Sequence, residues 1–407
     1  MSKPSWPESS LNSLCSRIGD GVHGTPRYVE NSEYPFINGN NLKQGFIRIF
    51  PQTKKVNRSE FEKYFIEFDE NTLFLSINGT LGSLAKYRGE SVILGKSVAY
   101  IKCSKIDVDF LYYYLQLGHI QRQIWNVATG STIKNLSLAS IRNLRIPTPP
   151  AAEQKKIAAV LSALDAKIDC NNRINAQLEM MAKTLYDYWF VQFDFPDANG
   201  KPYKSAGGKM RYNVTLKREI PDGWEDRQLS QIANITMGQS PVGESLNDSE
   251  EGVEFFQGST DFGWQFPTVR QYTTQPTRMA KSGDILLSVR APVGDMNIAH
   301  LDCCIGRGLA ALNSKDGFDG FLFYAMKYFK TIFDRRNSEG TTFGSITKDD
   351  LYSLPLAYPQ NKLLTEYDKV VTKYNQMVFK RSMENQYLTQ LRDWLLPMLM
   401  NGQVAVA

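Results

Sequence analysis

Lys96 and Ser97 close the one stretch of this 407-residue chain that looks able to cradle a phosphate: Gly89-Glu90-Ser91-Val92-Ile93-Leu94-Gly95-Lys96-Ser97. A phosphate loop keeps four residues between its glycines, because loop length sets where the backbone amides point. Here there are five. The same stretch is matched later by Cys303-Cys304-Ile305-Gly306-Arg307-Gly308, where no such motif exists. A nucleotide hydrolase built on Lys96 is therefore the weaker rival reading. Other reaction chemistries lack their residues too. The only histidines are His23, His119 and His300, with no HExxH, so a metal site would need ligands drawn from distant segments. There is no GxSxG and no GxGxxG. An adenine methyltransferase would carry Asn-Pro-Pro or Asp-Pro-Pro before an aromatic residue, but the only Pro-Pro is Pro149-Pro150, between Thr148 and Ala151. The cysteines, Cys15, Cys103, Cys170, Cys303 and Cys304, are odd in number and form no CxxC, so neither a disulfide framework nor a zinc site is expected. Several classes of catalysis thus fail together, and no metal or cofactor site is expected in this chain.

The elements that could position a binding surface are easier to read. A heptad-patterned helix is written twice. After Pro149-Pro150, apolar residues fall at Ile157, Leu161, Leu164, Ile168, Leu178, Leu185 and Trp189, and the skipped steps are Asn171, Asn175 and Ala182. Alternating steps of four and three make the seam of a coiled coil. Adding 210 to each number gives Tyr367, Val371, Tyr374, Val378, Arg381, Asn385, Leu388, Arg392, Leu395 and Leu399. The stripe turns polar at the same depth, with Asn175 and Asn385 as equivalents. A polar residue on a seam costs stability and fixes register. The repeated stripe predicts that the two helices pack on each other; an antiparallel pairing would put the two domains at opposite ends of a rod. Residues 152–190 as one helix would be roughly 57 Å long, a spacer with one head at each end and pseudo-twofold symmetry between them.

The heads are a repeat as well. Trp6, Leu11 and Leu14 match Trp224, Leu229 and Ile232; Phe36-Ile37-Asn38-Gly39-Asn40 matches Phe255-Phe256-Gln257-Gly258-Ser259; Leu73–Ile77 matches Ile285–Val289. Gly130-Ser131-Thr132 matches Gly340-Thr341-Thr342. Apolar positions persist while polar ones drift, as in a scaffold reused with a new surface. Each head is expected to be mixed α/β, with strands at Glu33–Ile37, Thr72–Ile77 and Ser91–Ile101 and a helix over Asp107–Leu117. The expected divisions are a first domain at 1–150, a helix at 151–195, an exposed connector at 196–219, a second domain at 220–359 and a second helix at 360–407. Trp189 and Phe190 are expected to face a partner. The net charge of +5 permits a polyanionic partner without demanding one. No apolar run is long enough to span a membrane, and Met-Ser-Lys-Pro-Ser-Trp has no signal-like apolar region, so a reducing cytoplasm is the expected compartment.

With Pro149-Pro150-Ala151-Ala152-Glu153-Gln154-Lys155-Lys156-Ile157 in view, the chain resembles the specificity subunit of a type I restriction–modification system. In that family Pro-x-x-x-Glu-Gln-x-x-Ile opens the first conserved helix. Tyr186-Asp187-Tyr188-Trp189-Phe190-Val191-Gln192-Phe193-Asp194 at its end, Ile220-Pro221-Asp222-Gly223-Trp224 and the Gly130-Ser131-Thr132 turn are also typical. The second helix departs, opening Tyr358-Pro359-Gln360-Asn361-Lys362 without the Glu-Gln pair, so contacts of that pair are in doubt there.

The resemblance implies two target-recognition domains, each reading half of a split, asymmetric double-stranded DNA target. It implies two methyltransferase subunits that dock on the chain and methylate adenine with S-adenosylmethionine, and motor-nuclease subunits that can join for cleavage. Base edges are read chiefly by Arg, Lys, Asn and Gln, with Ser and Thr assisting. The candidates in the first head are Asn38, Asn40, Asn41, Asn78, Lys96 and Lys134; those in the second are Gln239, Gln257, Arg290 and Arg307. Gly130 and Gly340 would let backbone approach phosphate, with Ser131, Thr132, Thr341 and Thr342 as hydroxyl donors. The main alternative is a coiled-coil scaffold that binds proteins only.

Overall fold

The computed structural model describes residues 6–130, 134–338 and 345–406. Two units form: Met1–Cys170 with Asn385–Ala407, and Asn171–Glu384. Each contains one α/β head and a stretch of both long helices, so each long helix is divided between units.

In the first unit, strands Cys15–Asp20, Val98–Cys103, Thr72–Ser76 and Leu84–Lys86 form an antiparallel sheet in that spatial order. Every residue of Thr72–Ser76 is buried, because both faces of the sheet are covered. Leu73 and Leu75 face a cluster with the helix Val108–Gln116, and Phe74 faces the opposite cluster with Ile37 and Leu94. Alternating side chains thus read as one apolar run. A second small sheet contains Ile93–Leu94 paired parallel to Phe36 and Ile37. The strand expected over Ser91–Ile101 is therefore two strands, broken at Gly95-Lys96-Ser97 where the chain passes from one sheet to the other. Ser137 caps the short helix Leu138–Arg142, accepting from Ser140 N at 3.0 Å.

The second head repeats the plan. Ala233–Met237, Leu309–Ser314, Ile285–Ser288 and Met296–Ile298 make the first sheet in the same order, and Phe255–Phe256 again pairs parallel, here with Cys304 and Ile305.

The long helices run Ala151–Tyr186 and Asn361–Met400. They are antiparallel within each unit. In the first, Arg392 donates to Asp165 at 2.8 Å, and Tyr113 donates to the other Asp165 oxygen at 2.7 Å. In the second, Asn171 reaches Glu384 at 2.8 Å, Asn175 reaches Ser382 at 3.3 Å, and Tyr367 donates to Ala182 O at 3.3 Å. Along the seam Leu161, Leu178, Val371 and Val378 are buried, as is Asn175, while Leu164, Ile168, Asn385 and Leu388 are half-buried.

Three further expectations change. Trp189 and Phe190 do not face outward: with Tyr186 and Phe193 they pack in the second unit's core against Trp224, Phe321 and Tyr367. The first helix ends in a wide turn at Asp187–Val191, and Phe193 at φ 68° breaks it. The stretch expected as a plain connector is exposed but folded, closing in a hairpin of Met210–Asn213 with Arg218–Pro221. Phe195 anchors it by stacking between Tyr203 and Trp224.

Gln154 explains the Glu-Gln signature. It is buried, its oxygen accepts from Asp107 N at 2.8 Å, and its nitrogen donates to Pro149 O at 2.8 Å. It thereby ties the long helix to the start of Val108–Gln116. At the matched position in the second helix stands Leu364, fully buried, and Asp368 supplies the tie by accepting from Gly320 N at 3.0 Å. The missing pair is replaced by an acid one turn later. Gln154→Ala is expected to leave the half-buried Asp107 N–H and the buried Pro149 carbonyl unpaired, costing about 1–3 kcal/mol. Hydrogen exchange should show lost protection across Val108–Gln116, with the second unit unchanged.

Candidate nucleic-acid interface

In each head the ends of several strands converge on one loop cluster. In the first, Val22 N donates to Leu94 O at 2.8 Å, Gly95 N to Ile37 O at 2.8 Å and Ile77 N to Ser97 O at 2.9 Å. Leu136 N donates to Ile77 O at 2.9 Å and adds residues 134–136. The turns at Gly21-Val22-His23, Asn38–Asn41, Asn78–Thr80 and Gly95–Ser97 therefore meet. Gly39 must be glycine here, since a Cβ would stand 2.1 Å from Ser76 Oγ.

The second cluster has the same wiring. Gln239 N donates to Ile305 O at 3.0 Å, Gly306 N to Phe256 O at 2.8 Å and Val289 N to Gly308 O at 2.9 Å. Ile346 N donates to Val289 O at 2.9 Å, and Arg290 bridges Ser345.

The candidate residues separate by exposure. Asn40, Lys96 and Gly130 are exposed in the first head; Asn38, Asn78 and Lys134 are half-buried. Gly130 adopts a φ of 101°, a conformation suited to glycine. Asn78 and Lys134 are drawn to the same place, through the Asn78–Asn135 bridge and Lys134 Nζ on Ala128 O at 3.4 Å. Asn41 is turned inward: it donates to Arg48 O at 2.8 Å and Thr53 Oγ1 at 3.0 Å and accepts from Asn38 N at 2.9 Å, so it holds a loop and has nothing left for a ligand. In the second head Gln239, Arg290 and Arg307 are exposed and Gln257 is half-buried. Ser131, Thr132, Gly340, Thr341 and Thr342 lie outside the described residues.

Lys96, Arg290 and Arg307 make no ion pair among the described residues, unlike Arg270, whose guanidinium is held by Asp261. Cations free of acids are available to phosphates or base edges. The Lys96 loop is not a nucleotide cradle. Strand Val98–Cys103 follows it where a phosphate loop needs a helix whose first amides face the anion. Burial pushes the Cys303 thiol up to about 12, leaving it protonated at neutral pH. Among the described residues no group of three or more His, Cys, Asp and Glu could hold a metal, and no helix is long and apolar enough to cross a membrane.

Sequence reasoning missed Ser97 and Ser240, hydroxyls that organise these clusters. The signal for Ser97 lay in the loops Gly95–Ser97 and Gly306–Gly308, which align across the repeat but differ at the third residue; Ser240 lies in another loop, opposite His23 in the repeat, and carries no such mark.

The two heads thus share one loop plan and differ in the side chains exposed on it. The family model described as "Type I restriction modification DNA specificity domain" matches residues 6–180 and 221–370. The chain belongs to this family of type I restriction–modification specificity subunits, whose part is DNA specificity rather than catalysis. It is 31% identical to the chain assigned as specificity subunit of the type I restriction enzyme MjaX of Methanocaldococcus jannaschii, over 98% of this chain and 94% of that one. The MjaIX specificity subunit of the same organism is 22% identical, over 95% and 88%. The crystal structure of a type I S subunit from M. genitalium has the same fold, with a TM-score of 0.62, 18% identity and coverage of 97% and 96%.

Proposed function

We propose that this chain reads an asymmetric, two-part sequence in double-stranded DNA, one part with each head. It directs adenine methylation at that sequence by two methyltransferase subunits, which bring the S-adenosylmethionine, and motor-nuclease subunits join the assembly for cleavage. It acts on DNA in the cytoplasm.

The observation that carries this reading is the contrast at matched positions of two identically wired loop clusters. Asn78 in the first stands where Arg290 stands in the second, and Val22 where the exposed Gln239 stands. Like surfaces would demand like half-sites; unlike surfaces demand unlike ones.

The test is a genome-wide map of N6-methyladenine in host cells with and without the gene. Deletion should erase methylation at one split motif with two different halves. An unchanged map would remove the DNA reading in favour of a protein-only scaffold, and a motif with identical halves would overturn the asymmetry.

A further inference from the structure

Asn38 and Gln257 occupy matched positions. Each directly follows a strand that pairs parallel to its neighbour. In the first head, Ser97 Oγ accepts from Gly39 N at 3.0 Å and donates to Asn38 Oδ1 at 3.0 Å. With a backbone N–H occupying the hydroxyl oxygen, the single hydroxyl proton is left for a carbonyl. The carboxamide is thereby oriented, oxygen inward and Nδ2 outward. In the second head, Ser240 Oγ accepts from Arg307 N at 3.4 Å and donates to Gln257 Oε1 at 3.1 Å.

The relay is the same, yet the hydroxyl comes from a different loop. The position matching Ser97 is Gly308, and the one matching Ser240 is His23. A glycine seats the oxygen in both heads: a Cβ would stand 2.3 Å from Asn38 Oδ1 at Gly95 and 2.5 Å from Gln257 Oε1 at Gly306. Neither amide nitrogen has a partner among the described residues, and neither is sealed from solvent. Loop closure needs only the two oxygens. It gives no reason for two unlike loops to leave an NH2 unpaired at the same place beside Lys96 and Arg307.

We infer that Asn38 and Gln257 are the matched base-edge readers of the two heads and that each reads as a hydrogen-bond donor only. Guanine O6 and N7, thymine O4 and adenine N7 accept from such a group, while the amine of cytosine does not. The two-bond pairing of a carboxamide with adenine needs the amide oxygen as well, and here that oxygen is held against glycine and serine. The inference rests on the DNA-recognition reading above.

Asn38→Asp and Gln257→Glu test it. Each keeps the oxygen that serine holds and replaces the outward NH2 with an acceptor of nearly the same size. The genes carrying them replace the host copy, and N6-methyladenine is mapped again. Asn38→Asp should lower methylation of the original sequence roughly 5- to 150-fold and alter one base position in one half. Gln257→Glu should do so in the other half. Ser97→Ala leaves the NH2 but frees the amide to turn, so it should relax the base position that Asn38→Asp alters; it decides the matter if the aspartate variant does not accumulate. A uniform loss with no change of sequence would mean phosphate contacts and overturn the inference. So would an unchanged map, which would reduce both residues to loop closure. A wild-type map without any split motif would remove the DNA reading itself, and this inference with it.

Discussion

Replacing Arg290 and Arg307 together with alanine should abolish recognition of one half-site and leave the other intact. Both side chains are exposed at the second loop cluster and free of acid partners among the described residues. Their removal therefore strips charge and donors from the surface without breaking an internal contact. If each meets a base edge, the cost is about 1–3 kcal/mol per residue, with relaxed specificity at that position. If each meets a phosphate, binding weakens for all sequences and the salt slope falls by about one per residue. Binding of the assembled complex to its site, measured at several salt concentrations, separates the two. A double variant that binds DNA as the wild type does would leave the second head without a role for these arginines.

Phe190→Ala should destabilise the second unit by about 3–5 kcal/mol. Phe190 is 5% exposed, and its ring centroid lies 4.9 Å from those of Phe321 and Tyr367 and 6.0 Å from that of Trp224. The truncation opens a cavity where the first long helix, the head and the second long helix meet within one unit. A chain of two units has no single unfolding free energy, so the measurement is hydrogen exchange resolved along the sequence. Protection should fall across the second unit and hold in the first. Had Phe190 faced a partner, the isolated chain would tolerate the change.

The sequence carried the frame of this molecule for a physical reason. Seam positions repeat at steps of three and four because an α-helix brings them to one side, so the stripe from Ile157 to Trp189 needs no tertiary knowledge to be seen. Strand Thr72–Ser76 was visible because both its faces are covered and its apolar run is unbroken. What failed depended on packing partners remote in sequence. The aromatic end of the first helix resembles a docking face until Trp224 and Phe321 are brought to it. The hairpin over 210–221 is polar enough to pass for a linker until Phe193, Phe195 and Ile220 are brought to the core around Trp224. Asn41 and Asn40 are neighbours of the same type, but a short 3-10 turn sends one inward and leaves the other exposed. Composition does not distinguish them. The tie made by Gln154 reappears through Asp368, four residues beyond its repeat equivalent, and residue-by-residue matching could not find it.

The division of the long helices also says where this gene can be cut and rejoined. Exchanging the second head with that of a relative at the polar segment 196–219 would look natural, yet Tyr186, Trp189, Phe190 and Phe193 would then stay behind with the recipient. The incoming head would meet foreign aromatic side chains in its own core. A crossover near Cys170 and Asn171, with its return near Glu384 and Asn385, transfers each unit whole. If each head reads one half-site, as proposed, new combinations are best built by recombination inside the helices, where the seam is polar and the two parents need agree only on heptad phase.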